Sequence, residues 1–261
     1  MDYALIVVVA MFVSGLTLFS GFGLGTLLMP VFALFFPVPV AIAATAVVHL
    51  ANNIFKLWLV GAHANRPVVA RFSLPAAFAA FFGAGALVFV SGMEPVAAYT
   101  LFGGEFEVLP VKLVIGVVIA LFAMLELTPL LKRIAIPKKY LPIGGLFSGF
   151  FGGLSGNQGA FRSAFLIKAG LEKEAFVATG VVSAVIVDTV RLSVYGLSYV
   201  TDNLEKLPPE IAGLVIAATI AAFVGAFVGK RLLKKVTLET VHLIVAICMI
   251  CIGLGLASGL I

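Results

Sequence analysis

Charge is scarce in this chain. Asp, Glu, Lys and Arg make up 11% of 261 residues, against 62% apolar residues and a mean hydropathy of +1.20. Soluble domains carry about 25% charged residues, so a globule surrounded by water is excluded. Cysteine is nearly absent: Cys248 and Cys251 sit at helical i, i+3 spacing, with no neighbouring His or acidic residue to complete a metal site. Both are expected to be buried packing thiols. There is no HExxH, no clustered set of metal ligands, no spacing that supports a Ser-His-Asp arrangement and no Walker-type loop. An intramembrane enzyme and an ATP-driven pump are therefore not expected, nor is a metal or cofactor. The N-terminus opens MDYALIVVV, acidic where a signal peptide carries Lys or Arg, so the first segment is expected to remain in the mature protein.

What is present is apolar sequence. Runs long enough to cross a hydrocarbon core of roughly 30 Å cover 41–60, 72–90, 111–131, 176–195, 211–228 and 241–261. The net charge of +5 does not indicate a nucleic-acid partner, because the basic residues form short clusters between apolar runs. Arg66/Arg71, Lys132/Arg133/Lys138/Lys139 and Lys230/Arg231/Lys234/Lys235 are expected on the cytoplasmic side. The acidic stretches 94–107 and 202–210 are expected outside, and both termini are read as external. The lipid bilayer of the cytoplasmic membrane is the implied partner, and a homodimer is compatible with the sequence.

Between the basic run at 132–139 and helix 176–195, residues 141–170 must begin and end inside. Two crossings need about 40 residues, and this segment has about 30, split by Gly156-Asn-Gln-Gly159. It reads as a re-entrant hairpin. Residues 2–37 repeat the design around Ser20-Gly-Phe-Gly-Leu-Gly25, and an offset of 134 superimposes Ser14/Ser148, Gly15/Gly149, Gly25/Gly159 and Thr45/Thr179. The fold class predicted is an all-α polytopic membrane protein of two inverted repeats, 1–135 and 136–261, each a broken hairpin followed by three transmembrane helices. Interrupted helices that meet near the midplane are a transporter architecture.

The segments SGFGLGTLLMP with AATAVVHLANN, and SGFFGGLSGNQGAF with VATGVVSAVIVD, resemble the TauE/SafE family of membrane transporters, which includes sulfite exporters. The resemblance spans essentially the whole chain. The second half departs from it at Asn157-Gln158 and at Ala164, which stands where the first half has Pro30. The resemblance implies a carrier of a small sulfur-containing anion.

Polar groups inside the membrane are costly, and they mark candidate sites. Arg162 follows Gly159 at the start of a half-helix, where free N–H groups favour an anion. It either binds the anion through its guanidinium or pairs with a carboxylate such as Asp188 or Glu126. Asn157 and Gln158 either donate amide hydrogens to the substrate or cap the half-helices. Gly21, Gly23, Gly25 and Gly159 would contribute backbone N–H groups or close helix contacts. Thr45, His49, Asn52 and Lys56 form one stripe on helix 41–60, with Lys56 expected to snorkel to the cytoplasmic surface. His49 and Asp188 are the candidates for carrying a proton. Asp188 lies about half a turn from Thr179, another substrate candidate, and an Asp188–Arg191 ion pair is expected near the external end of helix 176–195. Gly83/Gly85, Gly225/Gly229 and Gly253/Gly255 are read as helix-packing contacts, and the 23 phenylalanines as lipid and packing surface.

Overall fold

The computed structural model describes residues 2–20, 24–101, 103–128, 136–202, 210–232 and 238–261. Helix α1 (Asp2–Ser20) and the short α2 (Leu24–Ala33) precede α3 (Val38–Val60) and α4 (Arg66–Ser91). A hairpin, β1 (Ala97–Leu101) and β2 (Gly104–Val108), leads into α5 (Pro110–Leu127). The second half runs α6 (Leu141–Ser155), short α7 (Gly159–Leu166), α8 (Lys173–Asp202), α9 (Glu210–Leu232) and α10 (Leu238–Ser258). Among the described residues, four helical stretches are long and apolar enough to span a membrane: 38–63, 66–91, 173–198 and 211–228. The chain is an all-α polytopic membrane protein.

Proline sets the start of several helices, because its fixed φ suits the first turn and its missing N–H has no helical acceptor there. Pro39, Pro67, Pro110 and Pro142 occupy N1 or N2 of α3, α4, α5 and α6. Asn65 adds an N-cap to α4, its side-chain oxygen accepting the Val68 N–H at 3.1 Å.

Close helix approach depends on glycine. Cβ atoms at Gly145, Gly149 and Gly153 of α6 would overlap the carbonyls of Phe72, Ala76 and Ala80 of α4. Both sets advance by four residues in the same direction, so α4 and α6 run parallel with their backbones in contact. Gly83 does the same against Phe150, and Gly225 of α9 against Met11 of α1. Gly116 and Gly253 join α5 to α10 in reciprocal fashion, each against the other's carbonyl. The packing expected at Gly83, Gly225 and Gly253 is therefore present, whereas Gly85 faces open space.

These pairings follow a rule. Replacing each of the first five helices by its counterpart among the last five turns the α4–α6 contact into α9–α1 and the α4–α8 contact into α9–α3. The α3–α8 and α5–α10 contacts map onto themselves.

The loops separate by charge. Gly170 lies 3.3 Å, measured from an ideal Cβ, from Lys138 Nζ, so residues 141–170 begin and end at one end of the molecule. The α3–α4 turn is there too, because the Asn65 N–H donates to Thr179 Oγ1 in the second turn of α8. At the opposite end, Gly259 abuts Glu107 and the Tyr99 hydroxyl donates to the Ser258 carbonyl at 2.7 Å. Arg66, Lys138 and Lys173 thus share one end, while Glu105 and Glu107 mark the other.

Within the acidic stretch 94–107, residues 97–101 pair antiparallel with 104–108, in keeping with the Gly-Glu-Phe-Glu-Val alternation. Two expectations need correction. Cys248 and Cys251 are exposed rather than buried. Both lie about 140–160° around α10 from Gly253, the residue that touches α5, so their face points outward. Finally, α8 extends well beyond 176–195 at both ends, which puts Asp188 near its middle and not toward the external end.

Candidate functional site

The break between α6 and α7 consists of three residues. Gly156 ends α6 with φ of 82°, a left-handed conformation suited to glycine, and a Cβ there would also lie 2.9 Å from Arg191 Nη1. The Ser148 hydroxyl donates to the Gln158 carbonyl at 2.8 Å, and the Arg162 N–H donates to that same carbonyl at 3.1 Å to open α7. The N–H groups of Gly159, Ala160 and Phe161 come before this first intrahelical bond, so they belong to the positive end of the half-helix. The first hairpin meets the second here: a Cβ on Gly25, in the first turn of α2, would lie 3.2 Å from the Gly156 carbonyl and 3.7 Å from the His49 ring.

Around the break runs a chain of buried polar side chains. His49, the middle residue of α3, places Nδ1 2.6 Å from Asp188 Oδ2. Asp188 Oδ1 accepts from Arg191 Nε at 3.0 Å and from Gln158 Nε2 at 2.9 Å, with Arg191 Nη2 also 2.9 Å away. Arg162 Nη1 donates to Gln158 Oε1 at 3.2 Å. The Asn53 amide donates to the His49 carbonyl at 2.9 Å and lies beside the imidazole. A carboxylate that receives several charge-assisted bonds compensates its own desolvation.

Other buried groups have no protein partner. Both amide atoms of Asn157, the hydroxyls of Thr45 and Ser163, and Asn52 Nδ2 make no hydrogen bond, while Asn52 Oδ1 accepts from Ser14 at 3.3 Å. Asn157 is only 2% exposed. An unsatisfied buried amide costs about 1–3 kcal/mol, and such groups are rare in native interiors unless something else binds them.

The family model described as Sulfite exporter TauE/SafE matches residues 3–256. The chain belongs to the TauE/SafE family. Membership implies a membrane transporter of anions, which agrees with a buried helix break beside Arg162 and amide groups. Comparison with curated proteins and with solved structures returned no match.

Among the residues expected to form the TauE/SafE site, the structure brings Gly25, His49, Gln158, Arg162 and Asp188 into one connected region. Asn157 belongs to the break itself, Gly159 is the first residue of α7, and Thr45 and Asn52 are buried on α3. Gly21 and Gly23 lie outside the described residues, as does the Glu126 side chain. Lys56 does not snorkel: it is 5% exposed and within electrostatic reach of Arg162. The helix that carries it is enclosed, because α3 packs against α2, α8 and α9. Thr179 belongs to a different face of α8, where its Oγ1 accepts from Asn65 while Ser183 donates to its carbonyl and Ser73 donates to Ser183. Thr179 and Asp188, about half a turn apart on α8, are both buried. Ser148 escaped the sequence reading as a site residue, although the repeat alignment had already matched it with Ser14.

Proposed function

We propose that this TauE/SafE protein is a secondary carrier that exports a small sulfur oxyanion, sulfite or an organosulfonate, across the cytoplasmic membrane by alternating access. The observation that carries the site is the Asn157 amide, buried and unpartnered at the positive end of α7 and five residues from Arg162. A sulfur oxyanion supplies the acceptors that this amide, the α7 N–H groups and the guanidinium need. Gly25 and Gly156 let the two hairpins approach without a side chain between them. Thr45 and Asn52 extend the polar lining along α3.

Alternation is supported by the reciprocal packing of the two halves: a structure whose main contacts between halves survive their exchange has a second state available by exchanging their conformations. The positive-inside pattern orients the basic end toward the cytoplasm. An interior-negative potential of about 100 mV then favours exit of an anion by roughly 2.3 kcal/mol per charge.

The test is flux of sulfite, thiosulfate and methanesulfonate in liposomes containing the purified protein, compared with Arg162→Ala. Uptake accelerated by unlabelled anion on the far side supports a carrier. Flux without that acceleration means a channel, and no flux of any of the three removes sulfur anions as the cargo.

A further inference from the structure

The hydrogen-bond chain from Arg162 to His49 passes through Gln158 and then Asp188. Gln158 accepts at Oε1 from a guanidinium, which can only donate, and donates at Nε2 to a carboxylate oxygen of Asp188. Its amide orientation is therefore forced by its two partners. Both amide ends are engaged, in contrast to Asn157 next to it. Gly152 leaves room for this arrangement, since a Cβ there would lie 2.8 Å from Gln158 Cβ.

We propose that Gln158 is a positioning residue that makes anion occupancy at Arg162 and proton occupancy of the His49–Asp188 pair depend on each other. The inference rests on the anion site proposed above.

An oxyanion that reaches Arg162 displaces Gln158 Oε1 as the acceptor of Nη1, and the amide connecting that guanidinium to Asp188 is released at one end. The added negative charge acts on Asp188, which already interacts with Arg162. The charged groups that face the pair are Arg191 on α8 itself and Arg162 on α7, with Lys56 of α3 interacting with Arg162. From α6 comes the Gly152 carbonyl, which accepts from Arg191 Nη1 at 3.4 Å. One proton from water then joins the His49–Asp188 pair, and no bond within the anion changes. Linkage makes the effect reciprocal, so the protonated pair binds the anion more tightly.

The experiment is calorimetric binding of sulfite, thiosulfate and methanesulfonate to the purified wild-type protein, Gln158→Met and Gln158→Glu between about pH 5.5 and about pH 8, the range in which His responds. Buffers of different ionisation enthalpy report the protons taken up. Subtracting Gln158→Met from wild type removes any titration of the anion itself. One linked proton predicts that wild-type affinity weakens about tenfold per pH unit across the titration. Gln158→Met keeps the side-chain volume and should bind with less than about a twofold change per unit. Gln158→Glu places a fixed carboxylate on Arg162, so it should bind the anion at least about tenfold more weakly and take up no further proton. Wild-type binding without proton uptake overturns the coupling while leaving the anion site intact. A Gln158→Met protein that retains the full wild-type dependence overturns the role of Gln158. Failure of all three anions to bind overturns the anion site, and this inference with it.

Discussion

His49 on α3 and Asp188 on α8 meet at 2.6 Å, Nδ1 to Oδ2, across 139 positions of sequence and near the middle of both helices. A hydrogen bond of that length needs one proton between the two atoms. The pair also ties the first half of the chain to the second at the depth where the α6–α7 break approaches Gly25. Asp188 is the shared acceptor of this region, and its neighbours depend on its charge.

Asp188→Ala is therefore expected to lower stability by about 3–5 kcal/mol, because it leaves the fully buried Arg191 guanidinium without its carboxylate. Asp188→Leu combined with Arg191→Met should recover much of that loss, since a matched apolar pair has no charge to desolvate. Thermal unfolding in detergent distinguishes the cases. A double variant no better than Asp188→Ala would show that packing, not charge, governs this position.

Gly149→Ala and Gly85→Ala make a contrasting pair. A methyl group at Gly149 meets the Ala76 backbone and should cost about 1–3 kcal/mol through forced separation of α4 and α6. At Gly85 it meets nothing within 4 Å and should be neutral or stabilising by up to about 1 kcal/mol. Equal melting temperatures for the two variants would contradict the α4–α6 contact.

Asn157→Ala should separate binding from folding. The residue has no protein partner to lose, so stability without ligand should hold or rise, by up to about 1–3 kcal/mol. The stabilisation given by sulfite or thiosulfate should shrink, by about 1.4 kcal/mol for each tenfold loss of affinity at saturating anion. An unchanged ligand-induced shift would place the anion elsewhere.

Thr179→Val and Thr45→Val occupy matching positions in the two halves but have unlike surroundings. Removing the Thr179 hydroxyl orphans the Asn65 N–H and should cost about 1–2 kcal/mol. Removing the unpartnered Thr45 hydroxyl should cost nothing or stabilise slightly. Denaturation of each variant with and without anion would show whether Thr45 matters only when the site is filled.

Much of this was legible from the residues. The scarcity of charge and the length of the apolar runs dictate a helical membrane protein, because the bilayer offers no other partner for backbone N–H and C=O groups. Gly156-Asn-Gln-Gly159 announced a break, and the basic clusters predicted which loops share an end. The positions of Gly83, Gly225 and Gly253 announced helix contacts, though not which helices would meet.

Contacts between distant segments were decided elsewhere. Nothing in the local sequence says that Asp188 belongs to His49, that Gln158 stands between Arg162 and Asp188, or that Lys56 is buried. Helical period assigns a residue to a face, and only the packing of that face chooses its partner. The physical reason is the low dielectric of the interior, in which a buried polar group must be matched or leave an amide such as that of Asn157 unsatisfied. Composition and periodicity determined that polar groups fall within the apolar helices; the packing of those helices in the tertiary structure decided which of them were matched and which were not.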